Sequence, residues 1–291
     1  MGNLPKKLLI VNADDFGLLP EVNQGIIECF ASGSITSTTL MVNTEGAQDA
    51  VNLARQHPFL GVGLHFNLTQ GKPISSPNEI PSLVDGSGSF HTRAQFEKKI
   101  MMGRISLSDL KKEFVAQFNK FNDWGLQMTH IDSHHHIHMF PSVFRIASNY
   151  ARKMALPLRV PWVSYGFVVP TIRLKGLKFL IKKLLLNWLT LRLSDESVHG
   201  IVTPDTFMSI HDYIPFPSRI ECRHYSDLIN SAPAGTTEFM VHPAHVTPRL
   251  KHIFADACIK AQERKVLSRL SLIKLAEEFG FKAASYRFVR H

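Results

Sequence analysis

The sequence contains little cysteine and no long apolar run. Its three cysteines, Cys29, Cys222 and Cys258, are scattered through 291 residues without a CxxC pair. That distribution argues against a thiolate zinc site and against a disulfide scaffold. No run of 18 apolar residues occurs, so no membrane-spanning helix is predicted. The short apolar stretch after Lys6 and Lys7 is too brief for a signal peptide, and we therefore expect a cytoplasmic protein.

Acidic residues are missing from one strongly basic stretch. The formal net charge is +9, and residues 173–192 carry Lys and Arg with no Asp or Glu. Leucines and Trp188 recur there at helical spacing, which predicts a basic amphipathic helix over about 172–192, inserted into the fold. We favour packing of its apolar stripe on the fold. The alternative is peripheral contact with the inner membrane surface. No nucleic-acid-binding motif is visible, so no nucleic-acid partner is expected.

The remaining composition favours one large α/β domain. Hydrophobic residues make up 44% of the chain and charged residues 20%, enough for a sizeable core. Apolar strands alternate with helices, which predicts a parallel sheet closed as a barrel or a distorted barrel over residues 1–291. For residues 70–90 the sequence predicts a long irregular loop, unless the segment contains a helix or strand that the sequence pattern does not reveal. The predicted strands are 7–12, 38–42, 61–68, 128–131, 158–161, 237–241 and 282–285. The predicted helices are 20–32, 45–56, 92–102, 107–123, 141–154, 172–192, 249–263 and 268–279, with 194–222 irregular.

Polar side chains accumulate where the predicted strands end. Asp14 and Asp15 follow the first strand, His65 lies on the third, and His242 follows the strand at 237–241. Five histidines lie within residues 130–138. Because the carboxyl ends of parallel strands converge on one face, we expect these groups to meet in one cavity. Carboxylate and imidazole groups together suit a divalent metal ion.

Each segment taken alone is weak evidence for such a site. An Asp pair after a strand commonly caps a turn, and a single buried histidine is more often a hydrogen-bonded core residue. The histidine cluster is costly to bury without a role, so at least one member is expected to be metal-binding or catalytic. In an extended chain His134, His136 and His138 share one face and His135 takes the other. The residues themselves do not select one histidine, nor Asp15 over Asp14.

These segments resemble the YdjC/ChbG-like carbohydrate deacetylase family. The resemblance covers about the first 160 residues, and it implies a distorted (β/α) barrel like that of polysaccharide deacetylases. Two further stretches resemble the HpnK-like members associated with hopanoid biosynthesis. The segments that carry the family resemblance are 12–17, 36–39, 63–65 and 130–138, and those that carry the HpnK-like resemblance are 84–86 and 203–205.

The resemblance implies a ligand set for one divalent ion. Carried over residue by residue, it makes Asp15, His65 and His134 the metal ligands. The ion is Mg²⁺ by family resemblance, while two imidazoles and one carboxylate also suit Zn²⁺, Mn²⁺ or Co²⁺.

The resemblance also implies catalytic roles. Asp14 is the general base and His242, in protonated form, the general acid, while Asp132 is expected to orient a ligand ring. This sequence has Ala244 where the family usually has glycine, so we expect a tighter turn or a narrower pocket beside His242.

The implied activity is metal-dependent removal of an N-acetyl group from an amino sugar or glycolipid, a hydrolysis of a C–N amide bond by activated water. The resemblance also implies a homodimer. One alternative is a metal-dependent phosphoesterase, which often uses two metals, although few further carboxylates lie near the strand ends. A second is a non-enzymatic basic lipid-surface binding protein, in which the histidines hold a closed structural metal site.

Overall fold

A parallel sheet of seven strands forms the centre of the part that the computed structural model describes, residues 7–161, 200–212 and 217–289. The strands are β1 Lys7–Phe16, β2 Ser37–Leu40, β3 Gly61–Phe66, β4 Met128–Ser133, β5 Thr206–Ser209, β6 Gly235–Val241 and β7 Lys282–Ala283. The described helices are α1 Pro20–Ala31, α2 Ala47–Gln56, α3 Arg93–Met101, α4 Leu107–Asp123, α5 Pro141–Lys153, α6 Cys222–Ser231, α7 Pro248–Ile253, α8 Ala257–Leu267 and α9 Leu272–Glu278.

The sheet order is β4-β3-β2-β1-β6-β5, and all of its pairings are parallel. β6 runs beside β1 from Lys7 to Ala13, while the other edge of β1 is shared by β7 and β2. Beyond β4, a parallel bridge joins Ile131 to Leu158 and continues the curved wall. Helices surround this wall, which confirms the predicted α/β class and the distorted (β/α) barrel.

β1 is longer than its apolar pattern predicts, and this places two acids inside the barrel. The prediction ends the strand at Asn12, but the strand continues, buried, to Phe16, with an irregularity at Asp15, whose φ is 70°. A run that is apolar throughout is typical of a parallel strand buried on both faces. Within this continuation, the Asn12 side-chain N–H donates to Asp14 Oδ1 at 2.9 Å, which gives the buried carboxylate a partner on its own strand.

The second half of the chain departs most from the prediction. Residues 194–222 were expected to be irregular, yet β5 lies there, and α6 follows it in a stretch with no predicted element. β5 has only four residues, too few for a periodic pattern. The helix predicted over 249–263 is instead two helices, α7 and α8, because the chain leaves the helix at Phe254 with a β-region φ and ψ. The strand predicted over 158–161 is reduced to the bridge at Leu158.

The basic amphipathic helix predicted over 172–192 lies outside the described residues. Within the part of the chain that the structure covers, no helix has the length and apolarity needed to cross a membrane.

The long loop predicted over 70–90 is present and is fastened to α4. Two buried acids of that helix bind its backbone. Glu113 accepts hydrogen bonds from the N–H groups of Ile74 and Ser75, both at 2.9 Å, and Asp109 accepts one from Ser82 at 3.0 Å. A buried carboxylate that accepts several N–H groups holds a loop firmly, because no solvent competes for those donors. The loop therefore forms a fixed wall rather than a loose flap.

We expect Glu113→Gln to destabilise the protein by about 2 kcal/mol, because the new amide group would present N–H to a backbone N–H donor. Urea denaturation would measure the free energy of unfolding. The matched control is Glu97→Gln, which removes an exposed i,i+4 pair with Arg93 and should cost about 0.5 kcal/mol or less. An equal loss in both variants would contradict the anchoring role of Glu113.

Candidate metal centre

Asp15, His65 and His134 meet at the carboxyl end of the sheet, as predicted. All three side chains are buried, and their candidate ligand atoms lie within 4.8 Å of one another. Asp15 Oδ1 lies 2.8 Å from Nδ1 of His134 and 3.6 Å from Nε2 of His65. The other oxygen, Oδ2, accepts a hydrogen bond from the ammonium group of Lys260 at 3.0 Å. Two imidazoles and one carboxylate from three strand ends therefore face a common point.

The orientation of His65 is set by the neighbouring strand. Register pairs His65 on β3 with Asp132 on β4, and His65 Nδ1 lies 2.7 Å from Asp132 Oδ1. This contact places the ring proton on Nδ1 and leaves Nε2 to face Asp15. Asp132 thus lies where a group that orients a ligand ring was expected.

His134 reaches Asp15 because the chain turns sharply after β4. Alternation in an extended segment was expected to put His134, His136 and His138 on one face, and that prediction is wrong. Residues His134–Met139 form a 3₁₀ turn in which His135 and His136 have φ values of 58° and 56°. These left-handed conformations change the direction of successive side chains. Of the cluster, His134 is the residue that lies with Asp15 and His65 in the candidate metal-binding group.

Two of the remaining histidines serve packing and backbone contacts. His130 stacks on Tyr286 with ring centroids 3.7 Å apart and an interplanar angle of 8°. Its ring fills the space beside Gly63, where a Cβ atom would lie only 2.5 Å away. His138 Nε2 lies 2.9 Å from the carbonyl oxygen of Arg159. These contacts therefore account for the burial of His130 and His138 without a metal ion.

The other two histidines of the cluster contact the loop after β3 and the strand β5. His135 Nδ1 lies 3.0 Å from the hydroxyl of Thr69, in the loop after β3, and its ring is 3.8 Å from that of His134. The ring of His136 stands edge-on to Phe207 of β5 at 5.5 Å. His135 is half-buried and connects His134 to the long loop, which makes it a wall of the site.

A fully buried arginine, which the sequence analysis missed, joins three strands beneath the site. Arg159 lies 2.7 Å from both oxygens of Asp14, 2.7 Å from Asp132 and 2.6 Å from Glu238. A planar guanidinium can donate to several carboxylates at once, which a lysine cannot do with the same geometry. Its signal in the sequence was a single arginine inside a short apolar stretch, with no motif to mark it.

Negative charge exceeds positive charge inside the barrel. Around the proposed ligands, four buried carboxylates lie close to two buried basic side chains, which leaves two negative charges in excess before the buried Glu263 of α8 is counted. The carboxylates are Asp14, Asp15, Asp132 and Glu238, and the cations are Arg159 and Lys260. Burial raises the pKa of Glu238, yet the N–H groups of Arg159 and the hydroxyl of Tyr286 all donate to it, as they would to an ionised group. A divalent cation would neutralise this excess.

The bonding of the predicted ligands also fits a cation. Among the described residues, none gives Asp15 Oδ1 an aligned hydrogen bond, although Nδ1 of His134 lies 2.8 Å away. Buried polar atoms are rarely left unsatisfied without a functional reason. The residues present therefore fit a divalent ion.

The charge excess also shifts the ionisation of the site. Burial alone would raise the pKa of both aspartates, but Arg159 holds the pKa of Asp14 well below its usual range, and Lys260 with His134 does the same for Asp15. Burial lowers the pKa of His65, but the adjacent Asp132 outweighs it and raises the pKa to about 10. In the absence of a metal, a proton on His65 thus offsets part of the negative charge.

His242 ends β6 at the edge of the same group, and its Nε2 lies 4.0 Å from Oδ2 of Asp14. Burial, followed by the nearby Lys260, lowers the pKa of His242 to about 3. The ring is therefore neutral at neutral pH, whereas the resemblance implied a protonated one.

The turn after His242 fits closely against α1. Ala244 is buried, and a Cβ on Gly25 would lie 2.8 Å from its Cα. Gly25 therefore makes room for the turn at the position where the family usually has glycine in place of Ala244.

Lys260 and Glu263 were also missed, although the sequence carried a signal for both. The buried positions of α8 are Ala257, Lys260, Glu263 and Leu267, an i, i+3 pattern that puts two charged residues on an apolar stripe. Glu263 accepts a hydrogen bond from the backbone N–H of His242 at 3.0 Å. Charged residues at core positions of a helix are rarely buried without partners. That pattern marks α8 as part of the site.

The chain is similar in sequence to several known proteins. A family model described as YdjC-like protein matches residues 8–278. A carbohydrate deacetylase of Geobacillus stearothermophilus is 34% identical over 96% of this chain and 96% of its own length. A chitooligosaccharide deacetylase of Proteus mirabilis is 33% identical over 96% of this chain and 98% of its own length.

A solved structure has the same fold. It is a crystal structure from Enterococcus faecalis V583, named as a candidate cellobiose-phosphate cleavage protein. The two superpose with a TM-score of 0.76 and 28% sequence identity, covering 98% of this chain and 100% of that one.

The raised pKa of His65 predicts a pH-dependent stability of the metal-free protein. A histidine whose pKa is higher in the folded than in the unfolded state stabilises the fold while it is protonated. That contribution is complete below about 6.5, the unfolded value, and is lost as pH rises through about 10. We expect wild type, unfolded with urea in the presence of a chelator, to lose more stability than His65→Gln between pH 6 and pH 10.5. A difference between the two proteins that stays constant with pH would contradict the assignment.

Proposed function

The chain belongs to the YdjC-like protein family, and on that basis we propose that it is a metal-dependent deacetylase, which hydrolyses the N-acetyl group of an amino sugar or glycoconjugate. The observation that carries the proposal is the convergence of Asp15, His65 and His134 beside Asp14 and His242. It is supported by two relatives, named as deacetylases of carbohydrates, that align over nearly the whole chain.

Asp15, His65 and His134 would hold the ion, with Asp132 fixing the ring of His65. A divalent cation bound there would supply a Lewis acid for the acetyl carbonyl and lower the pKa of a water molecule. The donor set suits Zn²⁺, Mn²⁺ or Co²⁺, and family resemblance favours Mg²⁺.

Asp14 would accept the proton of the attacking water. Arg159 donates to both of its oxygens, so the carboxylate is ionised and held in one orientation. The same contact lowers its basicity, which means that the proton must leave Asp14 readily after transfer. Asp14 therefore accepts the proton of the water molecule and then passes it on.

His242 lies where that proton has to go. Because the ring is neutral at neutral pH, it can accept a proton from Asp14 across the 4.0 Å separation and deliver it to the leaving nitrogen. The water oxygen bonds to the acetyl carbon, the C–N bond breaks, and the proton ends on the amine. Acetate and a free amino sugar are the products. In this route His242 is neutral before the reaction and becomes protonated during it, whereas the resemblance implied a His242 that is protonated from the start.

Support for a single ion separates this proposal from a two-metal phosphoesterase. A second group of potential ligands, Asp14 with His65 and Asp132, shares His65 with the first, and Arg159 already forms ion pairs with both of its carboxylates. A non-enzymatic protein with a closed zinc site is also less well supported, since structural zinc takes four protein ligands and the group here offers three.

Several finer assignments stay predictions. They are the identity of the acetylated substrate, the HpnK-like subfamily, the homodimer, and membrane contact through residues 172–192. Acetate release from N-acetylated monosaccharides, oligosaccharides and lipid-linked sugars, each with several metals, would separate the substrate classes. Release of phosphate from an aryl phosphate without acetate release would favour the phosphoesterase.

We expect Asp14→Asn to retain the metal and to lose deacetylation by about 10²-fold or more, because an amide cannot accept the water proton. Acetate release and elemental analysis would measure the two effects. Asp109→Asn, which alters a buried carboxylate away from the site, is the matched control and should stay active. Full activity of Asp14→Asn would remove Asp14 as proton acceptor.

We expect His65→Ala to lose bound metal, since one of three ligands and the group oriented by Asp132 are both removed. His91→Ala is the matched control, because His91 is also buried but lies in the loop before α3. Metal content by elemental analysis is the readout. An unchanged stoichiometry in His65→Ala would exclude that ligand.

A further inference from the structure

Lys260 is a buried lysine whose ammonium group lies inside the proposed metal site. It projects from the inner face of α8, and its Nζ donates to Oδ2 of Asp15 at 3.0 Å. The same nitrogen lies 4.3 Å from the centre of the Phe254 ring, which shields it from solvent. No motif in the sequence marks this residue, and none of the proposed catalytic steps uses it.

The backbone of Lys260 makes a second link to the site. Its carbonyl oxygen accepts a hydrogen bond at 3.3 Å from the N–H of Ala244, in the turn that follows His242. One residue therefore connects α8 to the end of β1 through its side chain and to the His242 turn through its main chain.

The two oxygens of Asp15 are divided between different neighbours. Oδ2 is bound to Lys260, while Oδ1 faces His65 and His134. Any ion held by the two histidines would have Oδ1 available and would lie near the ammonium group. Two positive charges would then share one buried carboxylate and would repel each other.

We propose that Lys260 is a positioning residue and internal cation of the site, which keeps Oδ2 of Asp15 occupied, leaves Oδ1 for the metal, and weakens the hold on that metal. The inference rests on the proposed metal site. Removing the ammonium group raises the excess of buried negative charge from two to three when no metal is bound. The metal-free protein then becomes less stable, while its affinity for a divalent ion rises.

A lysine with only a structural role would behave differently. Its loss would lower stability with and without metal by similar amounts, and it would leave metal affinity unchanged or reduce it. The direction of the affinity change therefore separates the two roles.

The test compares Lys260→Met, Lys260→Gln and Lys260→Arg with wild type, using Mn²⁺ as the probe. Calorimetric titration gives the dissociation constant, and thermal unfolding is followed with chelator and with saturating Mn²⁺. Both neutral variants should bind Mn²⁺ about tenfold more tightly or better, and Mn²⁺ should raise their melting temperatures more than that of wild type. Lys260→Arg should bind within about threefold of wild type. Lys265→Met, an exposed lysine on the same helix, is the matched control and should match wild type.

Unchanged or weaker Mn²⁺ binding in the neutral variants would overturn the proposal. Lys260→Gln keeps a hydrogen-bond donor, so the test holds even where Lys260→Met fails to fold. Acetate release by wild type separates this inference from the proposed function. Tighter binding in the variants with an inactive wild type supports the role of Lys260 and removes the deacetylase, whereas an active wild type with no affinity change removes the role of Lys260 alone.

Discussion

The ion pairs of Arg159 are the interaction on which the rest of the site depends. One guanidinium group binds Asp14 of β1, Asp132 of β4 and Glu238 of β6, with every partner buried. Burying three carboxylates is costly unless a cation satisfies them with good geometry, and removing that cation from such a network is strongly destabilising. Arg159 thus allows the carboxyl ends of the strands to carry acids in the centre of the barrel.

Local backbone strain accompanies this concentration of charge. Asp15, His135 and His136 are non-glycine residues with positive φ, and all three lie at or beside the proposed metal ligands. Such conformations cost of order 1 kcal/mol each, and they persist only where surrounding contacts hold them. At Asp15 those contacts include Lys260, and at His135 they include Thr69. Backbone strain is therefore found where residues adopt unfavourable φ values and their side chains, or those of their neighbours, point toward the proposed metal site.

The convergence of acids and histidines could be predicted from sequence because it follows one simple rule, whereas the choice of Asp15 and His134 as proposed ligands came from the family resemblance. Asp15, His65 and His134 lie at or just after strand ends, and parallel strands bring those ends together. Alternation failed to sort the histidines because the chain stops being extended after Ser133, and no sequence pattern announces the turn. Arg159 and Lys260 could not be recovered by motif. Glu238 and Asp14 lie 79 and 145 residues from Arg159 along the chain, and Asp15 lies 245 residues from Lys260. Charge balance becomes visible only once the fold has brought those distant residues together.

That balance connects stability to the proposed chemistry. Three species can neutralise the same buried carboxylates: the ammonium group of Lys260, a proton on His65, and a divalent ion at the proposed ligands. The Lys260 side chain is part of the site with or without an ion, but the proton on His65 and the ion compete, because a protonated imidazole cannot serve as a ligand. The ion must therefore displace the proton from His65, and its affinity rises with pH until that proton is lost. The buried negative charge that lowers the stability of the metal-free protein is thus the same charge that raises its affinity for a divalent ion.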